Sequence, residues 1–285
     1  MDRLQAAIAQ ARASRDALLA GQPDPSDGPS RAEPTRAVDA SSPWDALPAF
    51  TPDTAHLGKN RIITRDSGAR SAPFDVLRTR VLQQMSAQGW KRLAVTSPGP
   101  GCGKSTVTMN LAFSLARQSD VRTIVVDLDL RRPMLATLLG HDSRSEISAA
   151  IRGSAAPGEH MVRVADNLAF ATTHTAVHDP AGLLHGRRMR VVLERIEAEF
   201  VPDVVLFDLP PIMVSDDAIA FLPHVDCALM IAAAEQSTLG QVDACEKELA
   251  AQTSVLGVVL NKCGHPGDGQ RYGYGYEYGY EAGAA

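Results

Sequence analysis

Short apolar runs separated by glycine-rich or polar breaks organise the middle of this chain. They lie near residues 92–97, 122–127, 168–172, 203–208, 227–233 and 255–260. Runs of that length, bounded by turn residues, are what buried strands require. Between most of them lie helical stretches, at 105–118, 181–200 and 238–252. Alternation of strand and helix predicts an α/β fold: a parallel sheet with right-handed crossovers, flanked by helices.

The flanking regions have other patterns. Residues 1–20 predict a helix, with a weak apolar stripe of Leu4, Ile8, Ala11, Leu18 and Leu19 that could dock a partner. Residues 21–73 read as a largely disordered linker, richest in Pro, Ser, Asp and charge before Pro43. Residues 74–262 are expected to form the folded domain, and 263–285 a flexible tail. All five tyrosines of the chain, Tyr272, Tyr274, Tyr276, Tyr278 and Tyr280, occupy alternate positions of that tail. A folded core would use tyrosine as a large, half-polar filler. Phenols confined to a Gly-rich end suit a group that must enter another active site, although a merely sticky low-complexity tail has the same composition.

The first apolar run ends in SPGPGCGKST, and VTMNLAFSLARQ follows with helical periodicity. Strand, glycine loop and helix are the setting of a phosphate-binding loop. Gly101 and Gly103 let backbone N–H groups turn toward phosphate oxygens. Lys104 is placed to meet the β- and γ-phosphates, and the Ser105 hydroxyl to take Mg²⁺. Pro100, Cys102 and Thr106 complete the candidate loop, and the helix N-terminus adds partial positive charge. The strict G-x-x-x-x-G-K-[ST] pattern is not met, because Pro98 stands at its first glycine. Two further runs end in carboxylates: Asp127 and Asp129 in TIVVDLDLRRP, and Asp208 in VVLFDLPP. Period-two geometry puts Asp127 and Asp129 on one side of the chain. Ligands of an open parallel sheet sit at the carboxyl ends of its strands. Three carboxylates there could hold Mg²⁺ and receive a proton.

Composition narrows the possibilities. With 285 residues and 45% hydrophobic content, one sizeable α/β domain can bury a core. A net charge of −5 and a pI near 5.9 argue against broad nucleic-acid binding. No apolar run approaches the length of a membrane span, and MDRLQAAIAQ lacks the apolar core of a signal peptide. Cys102, Cys227, Cys245 and Cys263 have no metal-binding spacing and are expected to stay reduced. His174 and His178 are four apart but flank a loop before Pro180, which does not favour a metal site.

PGCGKST, then VVDLDLRRP, then FDLPP, with the tyrosine cluster, resembles the bacterial protein-tyrosine kinases of capsule and exopolysaccharide synthesis. The resemblance spans residues 74–280, and its most specific part is Asp127, Asp129 and Arg131 together with the tail. It implies a P-loop autokinase using ATP and Mg²⁺. Lys104 and its loop would bind phosphates; Ser105, Asp129 and Asp208 would arrange the metal, and Asp127 would accept the tyrosine proton. The tail tyrosines would be phosphorylated in trans by other copies of the chain and cleared by a protein-tyrosine phosphatase. A membrane chain-length regulator, or polysaccharide co-polymerase, would be the partner, placing the chain in the cytoplasm at the inner face of the plasma membrane.

Two departures stand out. The family's Glu-x-x-Arg-x-x-Arg, used in ring packing, is matched by Ala72, Asp75 and Arg78, so only the last arginine survives and the ring contact is in doubt. Leu209 stands where Ser or Thr is common. Two other classes fit part of the pattern: a partition or septum-placement ATPase, and a non-catalytic nucleotide-binding adaptor of a membrane transporter. The ATPases resemble K-G-G-x-G-K-[ST], whose early lysine is Gly99 here. A GTPase fits less well, since NKCG has no Asp at position 264; Asn261 could instead contact adenine.

Overall fold

The computed structural model describes residues 42–264, apart from Ser143. Its centre is a seven-stranded sheet. The strands are β1 (Arg92–Thr96), β2 (Thr123–Asp127), β3 (Met161–Ala165), β4 (Leu168–Ala171), β5 (Val204–Asp208), β6 (Cys227–Ala233) and β7 (Ser254–Asn261). Their spatial order is β3-β4-β2-β5-β1-β6-β7. All neighbouring pairs are parallel except β3 and β4. The helices are α1 (Thr54–Lys59), α2 (Ala72–Gln88), α3 (Lys104–Ala116), α4 (Leu135–Leu139), α5 (Ile147–Arg152), α6 (Pro180–His185), α7 (Arg187–Phe200), α8 (Asp217–Phe221) and α9 (Leu239–Gln252).

Both sheet faces are covered, which is why the central strands are apolar throughout rather than alternating with polar residues. Their period of two instead sorts residues between two cores. Ile124, Val126, Val205 and Phe207 enter one core with Met189, Val192, Leu193, Ile196 and Phe200 of α7. Those α7 positions follow the helical repeat of one apolar stripe. Val125, Leu206, Leu93 and Val95 enter the other core with Val107, Leu111 and Leu115 of α3. Helix α3 is buried on nearly every side, so the segment after the glycine loop is held rigidly.

The expected α/β sheet flanked by helices is present, with three local corrections. Strand β3 was not anticipated; only Met161 and Val162 of its five residues are buried, so its apolar signal is short. The helix expected over 181–200 is two helices, broken at Gly186, which is extended with φ −68° and ψ 154°. The linker expected over 21–73 is ordered in its described later part. Trp44, Leu47, Leu57 and Ile62 are all at most 5% exposed. The Trp44 indole donates to the Asp166 carbonyl at 2.7 Å, and the Arg122 guanidinium lies 4.6 Å from its ring centre. Asn110 of α3 joins this segment to the core, accepting from the Ile63 amide at 2.8 Å and donating to the Arg61 carbonyl at 3.0 Å. These apolar residues lack a regular period, and their partners are distant in sequence, so the local pattern resembled a linker. The helix expected over 1–20 and the tyrosines of the tail lie outside the described residues.

Helix α2 explains one departure from the family pattern. Asp75 accepts from the Ser114 hydroxyl at 3.0 Å and pairs with Arg78 at 3.5 Å and with Arg117. Arg78 also donates to the Ser114 carbonyl at 3.1 Å. Thus Asp75 neutralises two arginines where α2 packs on α3, and Arg78 is turned into that packing.

Two substitutions measure these contacts. Trp44→Ala is expected to cost about 3–5 kcal/mol of unfolding free energy in urea titrations, against almost nothing if this segment were a linker. Asp75→Arg is expected to cost about 1–3 kcal/mol, because it removes the shared acceptor and adds a third cation; an unchanged midpoint would mean that the cluster contributes nothing.

Candidate functional site

The site forms at the carboxyl ends of β1, β2 and β5, adjacent strands at the middle of the sheet. Parallel register sets Asp127 directly beside Asp208 and Val95 beside Asp208. The chain leaves β1 through Ser97–Gly103 and enters α3 at Lys104. Gly103 has φ +89°, and a Cβ there would lie 2.3 Å from the Asn261 amide nitrogen. Gly101 has φ +77°. Both positions therefore need glycine, for backbone conformation and, at Gly103, for space.

The loop is braced by residues from far along the chain. Asn261, at the end of β7, donates to the Cys102 carbonyl at 2.9 Å. Gln236, just beyond β6, donates to the Pro100 carbonyl at 3.0 Å. Ser97 caps the turn from within, donating to the Gly99 carbonyl at 2.8 Å. Thr96 donates to the Pro210 carbonyl at 2.7 Å, tying the end of β1 to the loop after β5. Leu209 is fully buried in a core, so the apolar residue in FDLPP is a packing residue.

Three of the four candidate catalytic groups meet directly. The Lys104 ammonium is 2.7 Å from Asp129 and 3.6 Å from Asp208. The Ser105 hydroxyl donates to Asp208 at 2.6 Å. Thr108, one turn later, lies 3.4 Å from the other Asp208 oxygen. Asp127 sits beneath this group. One of its oxygens accepts from the Leu135 amide at 3.0 Å, and the other is buried without a hydrogen-bond partner. Asp127 and Asp208 are fully buried, while Asp129 is 6% exposed. Asp129 follows the end of β2, so it reaches Lys104 from a loop rather than from strand alternation.

Burial and the neighbouring Asp208 carboxylate push the Asp127 carboxyl well above its ordinary range, against the pull of the Leu135 amide. Burial also raises Asp208, opposed by Lys104 and the Ser105 hydroxyl. Burial by itself would lower Lys104, but Asp208 and Asp129 outweigh it and hold the ammonium charged. The Cys227 and Cys245 thiols are each pushed up to about 12, chiefly by burial, which makes them inert packing residues.

The donor set fits a magnesium nucleotide. It combines hard oxygens on Ser105, Asp129 and Asp208, a buried cation, and a loop whose glycines admit close approach of phosphate. Among the described residues, no three His, Cys, Asp or Glu side chains are arranged to hold a metal by themselves. Mg²⁺ characteristically takes one or two carboxylates and completes its shell with phosphate and water, so this arrangement suits it.

A profile of the ParA family, described as NUBPL iron-transfer P-loop NTPase, matches residues 90–270. The chain belongs to the ParA family of P-loop NTPases. The resemblance to bacterial tyrosine kinases is also borne out. This ParA-family chain is 33% identical over 201 residues to a protein of Ralstonia nicotianae named putative tyrosine-protein kinase EpsB, covering 70% of the chain and 26% of the relative. It is 26% identical over 182 residues to tyrosine-protein kinase CpsD of Streptococcus pneumoniae, covering 63% of the chain and 79% of the relative. The aligned part thus spans about a quarter of the Ralstonia protein and most of the streptococcal one. In fold, the chain is similar to the kinase domain of the Escherichia coli tyrosine kinase ETK. The TM-score is 0.62 at 23% identity, covering 80% of this chain and 94% of that one.

The structure therefore brings together Lys104, Ser105, Asp127, Asp129 and Asp208, with Asn261 bracing the loop from behind. Pro100, Gly101, Cys102, Gly103 and Thr106 lie in or beside the loop. Sequence reasoning missed Gln236, Thr108 and Asp217. Thr108 had a signal, being one helical turn beyond Lys104. Asp217 had none: it is buried and binds Arg131 through two contacts of 2.5 and 3.0 Å. That pair joins the loop after β2 to the start of α8, and so holds the segment that carries Asp129.

A raised pKa in the folded state has a direct consequence. Above the ordinary carboxylate range the folded chain retains a proton that the unfolded chain has released. Stability from Asp127 is then full at low pH and falls as pH rises through this window. Asp127→Asn should therefore raise the melting temperature at neutral pH and reduce the loss of stability as pH rises above about 4, the ordinary aspartate range. Thermal melts across that range check it; a destabilised variant with the wild-type slope would show that Asp127 is ionised when buried.

Proposed function

We propose that this chain is an ATP-dependent protein-tyrosine autokinase that phosphorylates its own C-terminal tyrosines in trans. The observation that carries this reading is the meeting of Lys104, Ser105, Asp129 and Asp208 beside the glycine loop. The tyrosines at alternate positions 272–280 and the tyrosine kinases among its relatives supply the acceptor and the precedent.

Phosphoryl transfer depends on positioning and charge neutralisation more than on covalent chemistry. Bound ATP and Mg²⁺ would supply the phosphoryl group and the metal's charge. The loop from Pro100 to Thr106 would hold the phosphates, and Asn261 would stand near the base. Ser105, Asp129 and Asp208 would hold the metal. Lys104 has two carboxylate partners and would exchange part of that pairing for phosphate oxygens, keeping a positive charge where negative charge gathers. A tyrosine phenol has a pKa near 10, so its proton need not leave early. As the phenol oxygen bonds to the γ-phosphorus and the bond from that phosphorus to the departing ADP breaks, Asp127 would take that proton. Its buried carboxyl must be ionised for this, which favours a step assisted by nearby positive charge.

The same reading places the chain in the cytoplasm at the inner face of the plasma membrane. There it would regulate exopolysaccharide or capsule synthesis and export. Its partners would be a membrane chain-length regulator, other copies of itself and a protein-tyrosine phosphatase. No described helix is long and apolar enough to cross a membrane.

Purified chain incubated with Mg-ATP, followed by mass spectrometry of the C-terminal peptide, tests the proposal. Phosphate is expected on residues among Tyr272, Tyr274, Tyr276, Tyr278 and Tyr280. Lys104→Met should reduce it at least about a hundredfold. Asp127→Asn should impair transfer more than nucleotide binding, and Asp208→Asn should weaken Mg-ATP binding. Hydrolysis of ATP with no phosphotyrosine would point instead to an ATPase of the ParA type.

A further inference from the structure

Methionine is ordinarily a core residue, and Met85, Met109, Met161, Met189 and Met230 are all buried here. The other two described methionines are not: Met134 is 42% exposed and Met213 is 52% exposed. Each of these two adjoins a buried residue whose amide is bonded to the site. The Leu135 amide donates to the Asp127 side chain at 3.0 Å. The Ile212 amide donates to the Ser97 carbonyl at 2.9 Å, where the chain leaves β1 for the glycine loop. Val214, 61% exposed, lies on the same loop as Met213.

One ion pair joins the two loops. Arg131, three residues before Met134, is held through two contacts by Asp217, three residues after Val214. The Ser215 hydroxyl donates to the same carboxylate at 2.9 Å, and Asp217 is buried. The pair therefore fixes the loop of Met134 relative to the loop of Met213 and Val214. Large apolar side chains left in water on braced loops add little to stability and mark a surface that meets another molecule.

We propose that Met134, Met213 and Val214 form an apolar lip that seats the ring of an acceptor tyrosine, and so select tyrosine over serine and threonine. This assignment rests on the tyrosine-kinase reading of the same site. A tyrosine hydroxyl lies a ring's length farther from the backbone than a serine hydroxyl. The ring must therefore be held before its oxygen can meet a phosphate in a productive orientation. Tyrosine offers an apolar body with a polar tip. Methionine suits that body, because its thioether makes favourable contacts with aromatic rings and adapts to their position. Asp127 is bonded to the residue that follows Met134, so a ring seated on the lip lies beside the group that takes its proton.

Two measurements on the full chain test it. In NMR spectra of the methionine methyl groups with Mg-ADP present, N-acetyltyrosinamide is expected to shift the Met134 and Met213 signals saturably. N-acetylserinamide is expected to leave them in place, and Met134→Leu and Met213→Leu assign the two signals. No shift with the tyrosine compound, or equal shifts with both, would overturn the lip whatever a kinase assay gives. With Mg-ATP and a tyrosine peptide, Met134→Ser combined with Met213→Ser is expected to raise the peptide KM on the order of tenfold and to lower kcat far less. Both positions are exposed, so the variant keeps the wild-type core. A fall in kcat with the peptide KM unchanged would overturn the proposal. Methyl shifts in a wild type that makes no phosphotyrosine would instead sink the kinase reading and leave the ring site standing.

Discussion

Three carboxylates and one lysine, gathered where adjacent strands end, set the terms for the rest of this molecule. Asp127 and Asp208 are register partners on β2 and β5, both without solvent exposure. Burial raises the pKa of both, and the neighbouring Asp208 carboxylate raises that of Asp127 further. The Lys104 ammonium offsets much of this by lying between Asp129 and Asp208. Its place is fixed in turn by the glycine loop that delivers it to the first turn of α3. A fold that needed only stability would fill these positions with apolar side chains. That strained charge is kept at the site is a common signature of function.

Holding such a group together requires support on both sides of the sheet. Helix α3 is buried nearly all round, so Lys104 and Ser105 begin a rod that cannot tilt. Asn261 and Gln236 hold loop carbonyls from the strands to one side. Arg131 and Asp217 clamp the opposite loops together. The segment from Trp44 to Thr64 adds a further brace, since Asn110 of α3 bonds to three of its residues. Phosphoryl-transfer sites gain most from such preorganisation, because positioned charge is the main thing the protein contributes.

The position of β7 links this site to the tail. Asn261 touches the nucleotide loop, and three residues later the described chain ends at Gly264. The tyrosines therefore begin close in sequence to the chemistry they would undergo.

The sheet and its helices were legible because each central strand is a continuous apolar run and each crossover helix repeats at its own period. The phosphate loop was legible because glycine, lysine and serine needed for that chemistry are contiguous in PGCGKST. Asp127, Asp129 and Asp208 stood out as acids ending apolar runs. Local sequence could not reveal Trp44, Leu47, Leu57 and Ile62 as core, since they have no period and their partners lie elsewhere. Nor could it show Asp75 holding Arg117, Asp217 holding Arg131, or Asn261 standing over Gly103. Sequence alone determined the elements and the chemistry available, because backbone propensity and motif spacing are local properties. Tertiary structure alone decided which charges neighbour which, because pairing and burial depend on strand order and on packing between residues far apart in the chain.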